Sequence, residues 1–380
     1  MKARVIAYYL PQYHPVEVND KYWGKGFTEW VNVAKAKPLF RGHDEPRIPA
    51  DLGFYDLRLP EVREEQARLA REAGVEGFCY WHYWFGNGDE VLEKPLDEVV
   101  RTKSPDFPFC IGWANHSWTT RTWTNARSSD DGYIFKQEYL GPEEYKRHFL
   151  RLLPIFQDER YIKVDGKLLF TIFDIHGFKD FSTFKQVWNE LAREYMLPGF
   201  YFVAHANTIP VVSAVKSASH KNLEKIAHKA IEDTLAAGVD AVETLNLQYA
   251  ELKTKGLLHK VIGAISRKHL NGFFLEKYDY QKIVENYQVA DSVRKNVFPE
   301  ILVGNDRSPR AGRKAIIYDK ATPDAFYEGV TRAVEQVSEK DSEHRIIFLN
   351  SWNEWGEGSY MEPDQRYGHG FLEALRRALN

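Results

Sequence analysis

Short apolar runs alternate with amphipathic segments from one end of the chain to the other. The runs have the length and continuity of buried strands, and the segments between them carry apolar residues at helical spacing. The strands are predicted at residues 5–10, 75–82, 107–113, 168–174, 199–205, 240–245, 298–304 and 345–350. The helices are predicted at residues 60–73, 91–102, 142–156, 181–195, 223–237, 281–295, 323–339 and 371–379.

This alternation predicts an α/β fold. Eight strands, each followed by a helix, match the count of a single (β/α)8 TIM barrel. A doubly wound sheet alternates in the same way, so the periodicity alone leaves that alternative open. The sequence contains no Ser-, Gly- or Pro-rich linker and no repeat of fixed period, which favours one domain over residues 1–380.

Three long connections interrupt the pattern, after strands 1, 3 and 6. They cover residues 11–59, 114–141 and 246–280. Long loops in a compact domain are usually functional or disordered. In a barrel the loops that follow the strands form the active-site face, so we expect the site there.

Composition and charge narrow the class of protein. Of the 380 residues, 43% are hydrophobic and 28% are charged, which is typical of a globular protein. The formal net charge of −3 provides no positive electrostatic field that would attract nucleic acid. No run has membrane-spanning length, and the N-terminus lacks the pattern of a signal peptide, so we expect a cytoplasmic location. The basic residues of 216–229 and 253–269 would suit a phosphate or an anionic lipid surface, although a solvated helix face explains them equally well.

The strongest candidate chemistry lies in the loop after the last strand. Glu354 and Glu357 stand three residues apart beside Trp352 and Trp355. Cleavage of a glycosidic bond needs one carboxyl group to protonate the leaving oxygen and a second to assist at the sugar ring. Desolvation by the tryptophans would raise the pKa of an acid. Glu362 is a further carboxyl group, predicted at the rim because Pro363 and charged residues follow it.

Polar and aromatic side chains recur where the barrel places its mouth. Hydroxyl-rich ligands need mixed donors and acceptors, and aromatic faces pack against sugar rings. Any single residue of this kind has an equally good structural explanation, and their recurrence is the signal. The predicted substrate-binding residues are Gln12, Glu29, Trp30, His82, Trp84, Trp113, Asn115, His116, His205, Asn305, Trp352, Asn353 and Trp355.

A metal or nucleotide site has weaker support. His82, His116 and His205 would converge in a barrel, but the first strand lacks paired histidines and no pair has helical ligand spacing. The chain has neither a Gly-rich phosphate loop nor an Asp-x-Asp triplet. We therefore expect no metal and no cofactor.

Several long motifs resemble a known family. They are YLPQYH (9–14), ND (19–20), GKGFTEW (24–30), PLF (38–40), DLGFYD (51–56), GFCY (77–80), WAN (113–115), YIKVDGK (161–167) and WNEW (352–355). Together they resemble the WbsX-like family, which is related to glycoside hydrolase family 99, over nearly the whole chain. The resemblance implies a (β/α)8 barrel with an open cleft. The sequence departs from the family pattern at His116, where relatives commonly carry Glu, and at Thr120, where Arg is expected.

The resemblance also implies an activity. Family 99 enzymes are metal-independent, retaining endo-α-mannosidases and mannanases that are thought to work through a 1,2-anhydro sugar. By this resemblance Glu354 would be the base on the substrate 2-hydroxyl and Glu357 the general acid/base, with nucleophile and anomeric carbon in one molecule. WbsX-like proteins are usually labelled glycosyltransferases of surface-polysaccharide synthesis.

Three functions therefore stay open. The first is an endo-glycosidase acting on an oligosaccharide or polysaccharide. The second is a glycosyltransferase of O-antigen or capsular polysaccharide synthesis, which would use a nucleotide sugar or a lipid-linked glycan and contact the membrane peripherally. The third is a glycan-binding barrel without catalysis.

Overall fold

The computed structural model describes residues 2–123, 132–209 and 220–380, and its centre is a closed parallel barrel. Each of the eight predicted strands is present. They are β1 (Arg4–Tyr9), β2 (Val75–Gly86), β3 (Phe109–Trp113), β4 (Lys167–Ile172), β5 (Phe200–Asn207), β6 (Ala241–Leu245), β7 (Val297–Leu302) and β8 (Ile346–Asn350). Each strand pairs in parallel with its neighbours in chain order, and β1 also pairs with β8. This closure confirms the barrel and excludes the doubly wound sheet.

Helices follow the strands. They are α1 (Pro60–Ala73), α2 (Lys94–Thr102), α3 (Pro142–Phe156), α4 (Phe181–Glu194), α5 (His220–Leu235), α6 (Leu247–His269), α7 (Pro323–Val337) and α8 (Gly370–Leu379). Local chemistry sets several of the ends. Pro60 opens α1 at a position that needs no N–H donor, and Gly74 closes it with a left-handed φ of 91°. The Thr322 side chain caps α7 by accepting from the Ala325 N–H.

Two predictions for the segment between β6 and β7 were wrong in detail. The predicted loop 246–280 consists largely of α6, which is kinked at Gly256, where φ is 70°. The predicted helix 281–295 ends early, because only Tyr280–Glu285 is α-helical and a 3-10 turn follows at Ala290–Val293. Tyr287 turns inward between them and donates its hydroxyl to Glu300, which draws the chain towards β7.

Other expectations fall partly outside the described residues. Residues 124–131 of the connection after β3 and residues 216–219 of the basic run are in this group. The connection after β1 contains two short helices, Glu17–Trp23 and Glu29–Lys35. Among the helices of the described ranges, none combines the length and apolar character needed to cross a bilayer.

The main core lies between the barrel and its helices. The barrel strands are buried along almost their whole length, as expected for parallel strands covered on both faces. Trp188 of α4 is fully buried and packs against Phe170 and Phe200, with ring centroids 5.0 Å away in both cases. This packing leaves the loops after the strands to form the functional face.

Candidate active site

A cleft of about 310 Å³ opens among the loops that follow the barrel strands. Its wall combines aromatic rings, three carboxyl groups and two guanidinium groups. The wall includes Tyr8, Trp81, His116, Trp118, Trp123, His205, Glu300, Arg307, Arg310, Glu354 and Glu357. This mixture of flat apolar surface and converging polar groups is typical of a site for a polar ligand with apolar ring faces.

The loop after β8 folds into a small hairpin that carries both candidate carboxyl groups. Asn353–Glu354 pairs with Ser359–Tyr360, and a 3-10 turn at Trp355–Glu357 joins them. The Asn353 amide anchors the hairpin to β1 by accepting from the Leu10 N–H (2.7 Å) and donating to the Leu10 carbonyl (3.1 Å). These bonds fix the backbone that carries Glu354 and Glu357.

Glycine is required inside this hairpin. A Cβ on Gly356 would collide with the Glu29 carboxylate and crowd the Arg310 guanidinium. Gly358 ends the turn with a left-handed φ of 61°. Gly356 therefore allows Glu29 and Arg310 to approach the loop, and Gly358 allows the chain to turn after Glu357.

Three carboxylates share one buried arginine at the mouth of the cleft. Arg310 contacts Glu29 through Nε (3.1 Å) and Nη2 (2.9 Å), Glu354 through Nη2 (3.0 Å), and Glu357 through Nη1. Arg307 adds a second contact to Glu357 at 2.9 Å. We call Glu29, Glu354, Glu357, Arg307 and Arg310 the mouth cluster. The two arginines contact the two hairpin glutamates unequally, because both contact Glu357 and only Arg310 contacts Glu354.

This asymmetry separates the two candidate catalytic groups. Burial raises the pKa of Glu354 to about 7, and the neighbouring Glu357 carboxylate acts in the same direction. Burial also acts to raise the pKa of Glu357, but Arg307 and Arg310 outweigh it and hold that pKa below its ordinary value. The pair therefore shares a proton that resides on Glu354 up to near-neutral pH.

A second pair of carboxyl groups lies deeper in the barrel. Glu243 accepts from the Tyr8 hydroxyl, whose oxygen lies 2.9 Å from His205 Nε2. Glu300 accepts from the Tyr287 hydroxyl and from Asn350 Nδ2 (3.1 Å). Burial raises the pKa of Glu243 well above its usual value and that of Glu300 to about 7. We call Glu243 and Glu300 the floor pair.

Of the predicted site residues, four line the cleft. They are Glu354, Glu357, His116 and His205. Burial lowers the pKa of both histidines, that of His205 to about 3, so both are neutral at pH 7. Their role in binding a substrate stays a prediction.

The structure places Trp352, Asn353, Trp355 and Trp30 behind the cleft wall. Trp352 packs against Phe78, and Trp355 stacks on Tyr360 with ring centroids 3.7 Å apart. Trp30 donates its Nε1 hydrogen to the Tyr55 carbonyl at 2.8 Å. These side chains support the hairpin from behind and do not line the cleft, although the sequence pattern predicted that they bind the substrate.

The remaining predicted residues also lie away from the cleft wall. His82 contacts His148 (Nε2 to Nε2, 2.9 Å), and Trp84 stacks on the same His148. Trp113 donates its Nε1 hydrogen to the Trp84 carbonyl. The Asn115 side chain hydrogen-bonds to the Tyr139 hydroxyl and to the Asp174 backbone. Gln12 is fully buried, and its side-chain amide has no partner in the described ranges. Asn305 accepts from the Tyr318 N–H through its carbonyl, and Glu29 reaches the site through Arg310.

Glu362 is buried, and its prediction as a rim residue was wrong. Its carboxyl group accepts from Trp355 Nε1 (2.7 Å), the Tyr55 hydroxyl (2.9 Å) and Gln66 Nε2 (2.6 Å). Burial raises its pKa to about 7. Glu362 therefore supports the hairpin from below.

One group of side chains in the described residues brings potential metal ligands together, namely His43, Glu45 and Asp306. The Leu39 N–H donates to His43 Nδ1 at 3.1 Å, so the proton of a neutral ring lies on Nε2, which donates to Asp306 at 2.7 Å. Arg47 lies 3.5 Å from Asp306 and 3.6 Å from Glu45 and supplies the positive charge. These contacts leave no imidazole lone pair for an ion, so the group does not fit a metal.

Sequence reasoning missed Arg307, Arg310 and Glu300. Arg307 and Arg310 follow β7 in a charged stretch, and their three-residue spacing matches that of the two glutamates. Charge directly after a barrel strand was the signal that would have found them. Glu300 lies inside an apolar strand, where a lone acidic residue is itself unusual.

A family model described as "Glycosyltransferase WbsX" matches residues 5–375. The chain belongs to the WbsX family. The uncharacterized protein WxcX from two strains of Xanthomonas campestris pv. campestris is 31% identical to it over 382 residues. These matches cover 100% of this chain and 50% of WxcX, so the chain spans about half the length of the curated relatives it matches.

Solved structures share the fold at low sequence identity. A glycoside hydrolase-like protein matches with a TM-score of 0.59 and 13% identity, over 100% of this chain and 94% of that one. A GH99 endo-alpha-mannosidase from Bacteroides thetaiotaomicron matches with a TM-score of 0.50 and 15% identity, over 99% and 95% of the two chains. These findings confirm the resemblance to the WbsX family and the barrel fold that it implied.

Proposed function

We propose that this WbsX protein is a glycan-active enzyme whose reacting carboxyl groups are Glu354 and Glu357. The observation that carries the proposal is that both groups face one cleft with opposite pKa shifts. Chemistry at a glycosidic bond needs one group that keeps a proton and one that stays ionised. A barrel that only bound glycans would not need this difference.

The reaction that we favour is hydrolysis within a glycan chain, with retention and without a metal. The fold likeness to an endo-alpha-mannosidase supports this class by analogy. The aromatic side chains of Trp81, which is half-buried, and Phe173, which is exposed, line the cleft and suit the apolar faces of sugar rings. The substrate class in this proposal is an oligosaccharide or polysaccharide.

We propose the reverse of the roles that the family 99 resemblance implied, because both arginines contact Glu357 and only Arg310 contacts Glu354. In our proposal Glu354 donates its proton to the leaving oxygen. Glu357 accepts the proton of the substrate 2-hydroxyl, whose oxygen attacks the anomeric carbon and forms a 1,2-anhydro sugar. Water then opens this ring, with Glu354 acting as the base and Glu357 returning the proton to the 2-hydroxyl oxygen.

A glycosyltransferase is the second candidate, and the arginines favour it. Arg307 and Arg310 line the same cleft, and guanidinium groups bind phosphate oxygens in a bidentate fork. A donor sugar carrying a phosphate, either a nucleotide sugar or a lipid-linked glycan, would place that phosphate there. The family description as glycosyltransferase agrees with this alternative.

Ligand binding and turnover of two variants test the proposal. Glu354→Gln and Glu357→Gln should each lower turnover of α-linked manno-oligosaccharides by about 10²–10⁴-fold, the usual contribution of a general acid or base. Bound oligosaccharide should still raise their melting temperatures. Glu373→Gln, on the exposed side of α8, is the matched control and should behave as wild type.

Two outcomes would change the conclusion. Wild-type turnover in both variants would remove these carboxyl groups from the mechanism. Stabilisation by sugar nucleotides but not by oligosaccharides would make the transferase the correct function.

A further inference from the structure

The second half of α6 turns an apolar face towards solvent. Residues 257–269 follow the kink at Gly256, and Leu258, Val261, Ile262 and Ile265 repeat there at helical spacing. Their exposed fractions are 74%, 37%, 43% and 50%. Surface helices of soluble domains normally direct such a stripe into the core. The loop that follows adds three more exposed apolar residues, Leu270, Phe273 and Phe274.

The inward side of the same helix is polar. Lys260 and Arg267 both form ion pairs with the buried Glu276, and Lys260 also contacts Glu251. Ser266 Oγ donates to the Phe274 carbonyl at 2.8 Å and accepts from its N–H at 2.9 Å. These bonds fix the rotation of the helix, so the exposed apolar stripe is a stable feature of the fold.

The charges around the apolar stripe are of one sign. The two acidic residues of 247–278, Glu251 and Glu276, are buried, whereas Lys255 and Lys268 are exposed. Arg313 is also exposed and donates to the Phe273 carbonyl at 2.9 Å. We call this surface, with Leu258, Val261, Ile262, Ile265 and Phe273 at its centre, the outer face of α6. Apolar side chains flanked by basic groups are the composition of an interfacial membrane helix.

We propose that the outer face of α6 docks onto the surface of an anionic phospholipid bilayer. The apolar side chains would enter the boundary between headgroups and acyl chains, and the basic groups would meet the lipid phosphates. A second copy of this chain suits the face less well, because a two-fold contact would bring the same basic groups together. The proposal concerns membrane contact and does not depend on which reaction the cleft performs.

The outer face lies on segments that also form the cleft. Leu247, at the start of α6, lines the cleft. Phe273 is bonded to Arg313, three residues after the cleft residue Arg310. Docking would therefore act on two segments, α6 and the stretch after β7, that also contribute residues to the cleft.

Vesicle flotation tests the proposal. Vesicles of phosphatidylcholine and phosphatidylglycerol (1:1) should carry the wild-type protein upward, and vesicles of phosphatidylcholine alone should carry much less. Ile265→Asn combined with Phe273→Asn should lower the partition coefficient at least about tenfold, because two apolar side chains no longer enter the lipid. Met196→Asn, at a 92% exposed residue away from this face, is the matched control and should float as wild type.

Charge reversal separates the two parts of the face. Lys268→Glu should weaken binding about fivefold or more on phosphatidylglycerol vesicles and leave the weak binding to phosphatidylcholine unchanged. Absence of flotation, or equal flotation of the Ile265 and Phe273 variant and its control, would overturn the proposal. A dimer in light scattering that this variant dissociates would identify a second copy as the occupant. Turnover of soluble oligosaccharide should be unaffected by these variants, so the membrane proposal and the enzymatic proposal fail independently.

Discussion

The mouth cluster and the floor pair contain the same acidic group in two electrostatic settings. At the floor, Glu243 and Glu300 contact hydroxyl, amide and neutral imidazole groups among the described residues, and burial raises the pKa of both. At the mouth, Arg307 and Arg310 lower the pKa of Glu357, while that of Glu354 stays raised. Burial acts to raise the pKa of all four glutamates, so the lowered pKa of Glu357 is due to the arginines.

The comparison shows how one site obtains an acid and a carboxylate from identical side chains. Both mouth glutamates sit on one hairpin, three residues apart, and burial acts to raise the pKa of each. The distinction comes from a different segment, the turn after β7, which directs two cations at Glu357 and one at Glu354. The segment after β7 therefore decides which glutamate holds the proton.

The largest expected effect is on turnover, and it distinguishes the role of Glu354 from that of Glu357. Glu354→Gln should lose about 10²–10⁴-fold in turnover of a sugar leaving group, because it removes the acid, and much less with an activated aryl leaving group that needs no proton. Glu357→Gln should lose turnover with both leaving groups. The reverse pattern would restore the roles implied by the family 99 resemblance. Rates with matched natural and aryl substrates provide the measurement.

Removal of Arg310 should give the largest change in stability. Arg310→Met leaves the fully buried Glu29 without a cation, and breaking a buried ion pair costs about 3–5 kcal/mol. The same substitution at Arg307, whose side chain is 51% exposed, should cost less than about 1 kcal/mol. Urea denaturation measures both. The double variant with Glu29→Gln should recover much of the loss, and a failure to recover would locate the cost elsewhere.

The fold was predictable because the barrel strands are buried on both faces. Continuous apolar runs such as that of β5 leave little choice of structure, and all eight strands were found. The region around α6 was harder, because its apolar stripe faces outward and alternates with lysine and histidine. A prediction based on an apolar face that packs inward does not find a helix whose inward contacts are made by Lys260, Arg267 and Ser266.

The site was predictable only in its centre. Glu354 and Glu357 were singled out because carboxyl groups beside tryptophans need an explanation, and they do line the cleft. The tryptophans were assigned to the substrate because sequence shows proximity along the chain and not the direction of a side chain. Trp352 and Trp355 point away from the cleft into the packing behind the hairpin. The arginines come from another loop, and only the closed barrel brings them to Glu357.

At the floor, Glu300 should make stability depend on pH. Its pKa is about 7 in the folded protein against an ordinary value of 4.5, so the unfolded chain loses this proton first. The stabilisation is complete below pH 4.5 and is lost as pH rises to 7, with a slope of up to about 1.4 kcal/mol per pH unit. Glu300→Gln should reduce the slope in this window, and Glu373→Gln should not. Urea denaturation across the window gives the slopes, and equal slopes would show that Glu300 is ionised in the fold.

The smallest effect is the most diagnostic for the mouth cluster. Arg307→Gln should change the free energy of unfolding by less than about 1 kcal/mol, because the side chain is half exposed. It removes one of the two cations that hold the pKa of Glu357 low, so that pKa should rise. If Glu357 must be ionised for turnover, the acidic limb of the pH–rate profile should move to higher pH. The control Arg332→Gln, on the exposed side of α7, should leave this limb unchanged. If Glu357 were instead the general acid, the same substitution would move the alkaline limb, so the limb that shifts identifies its role.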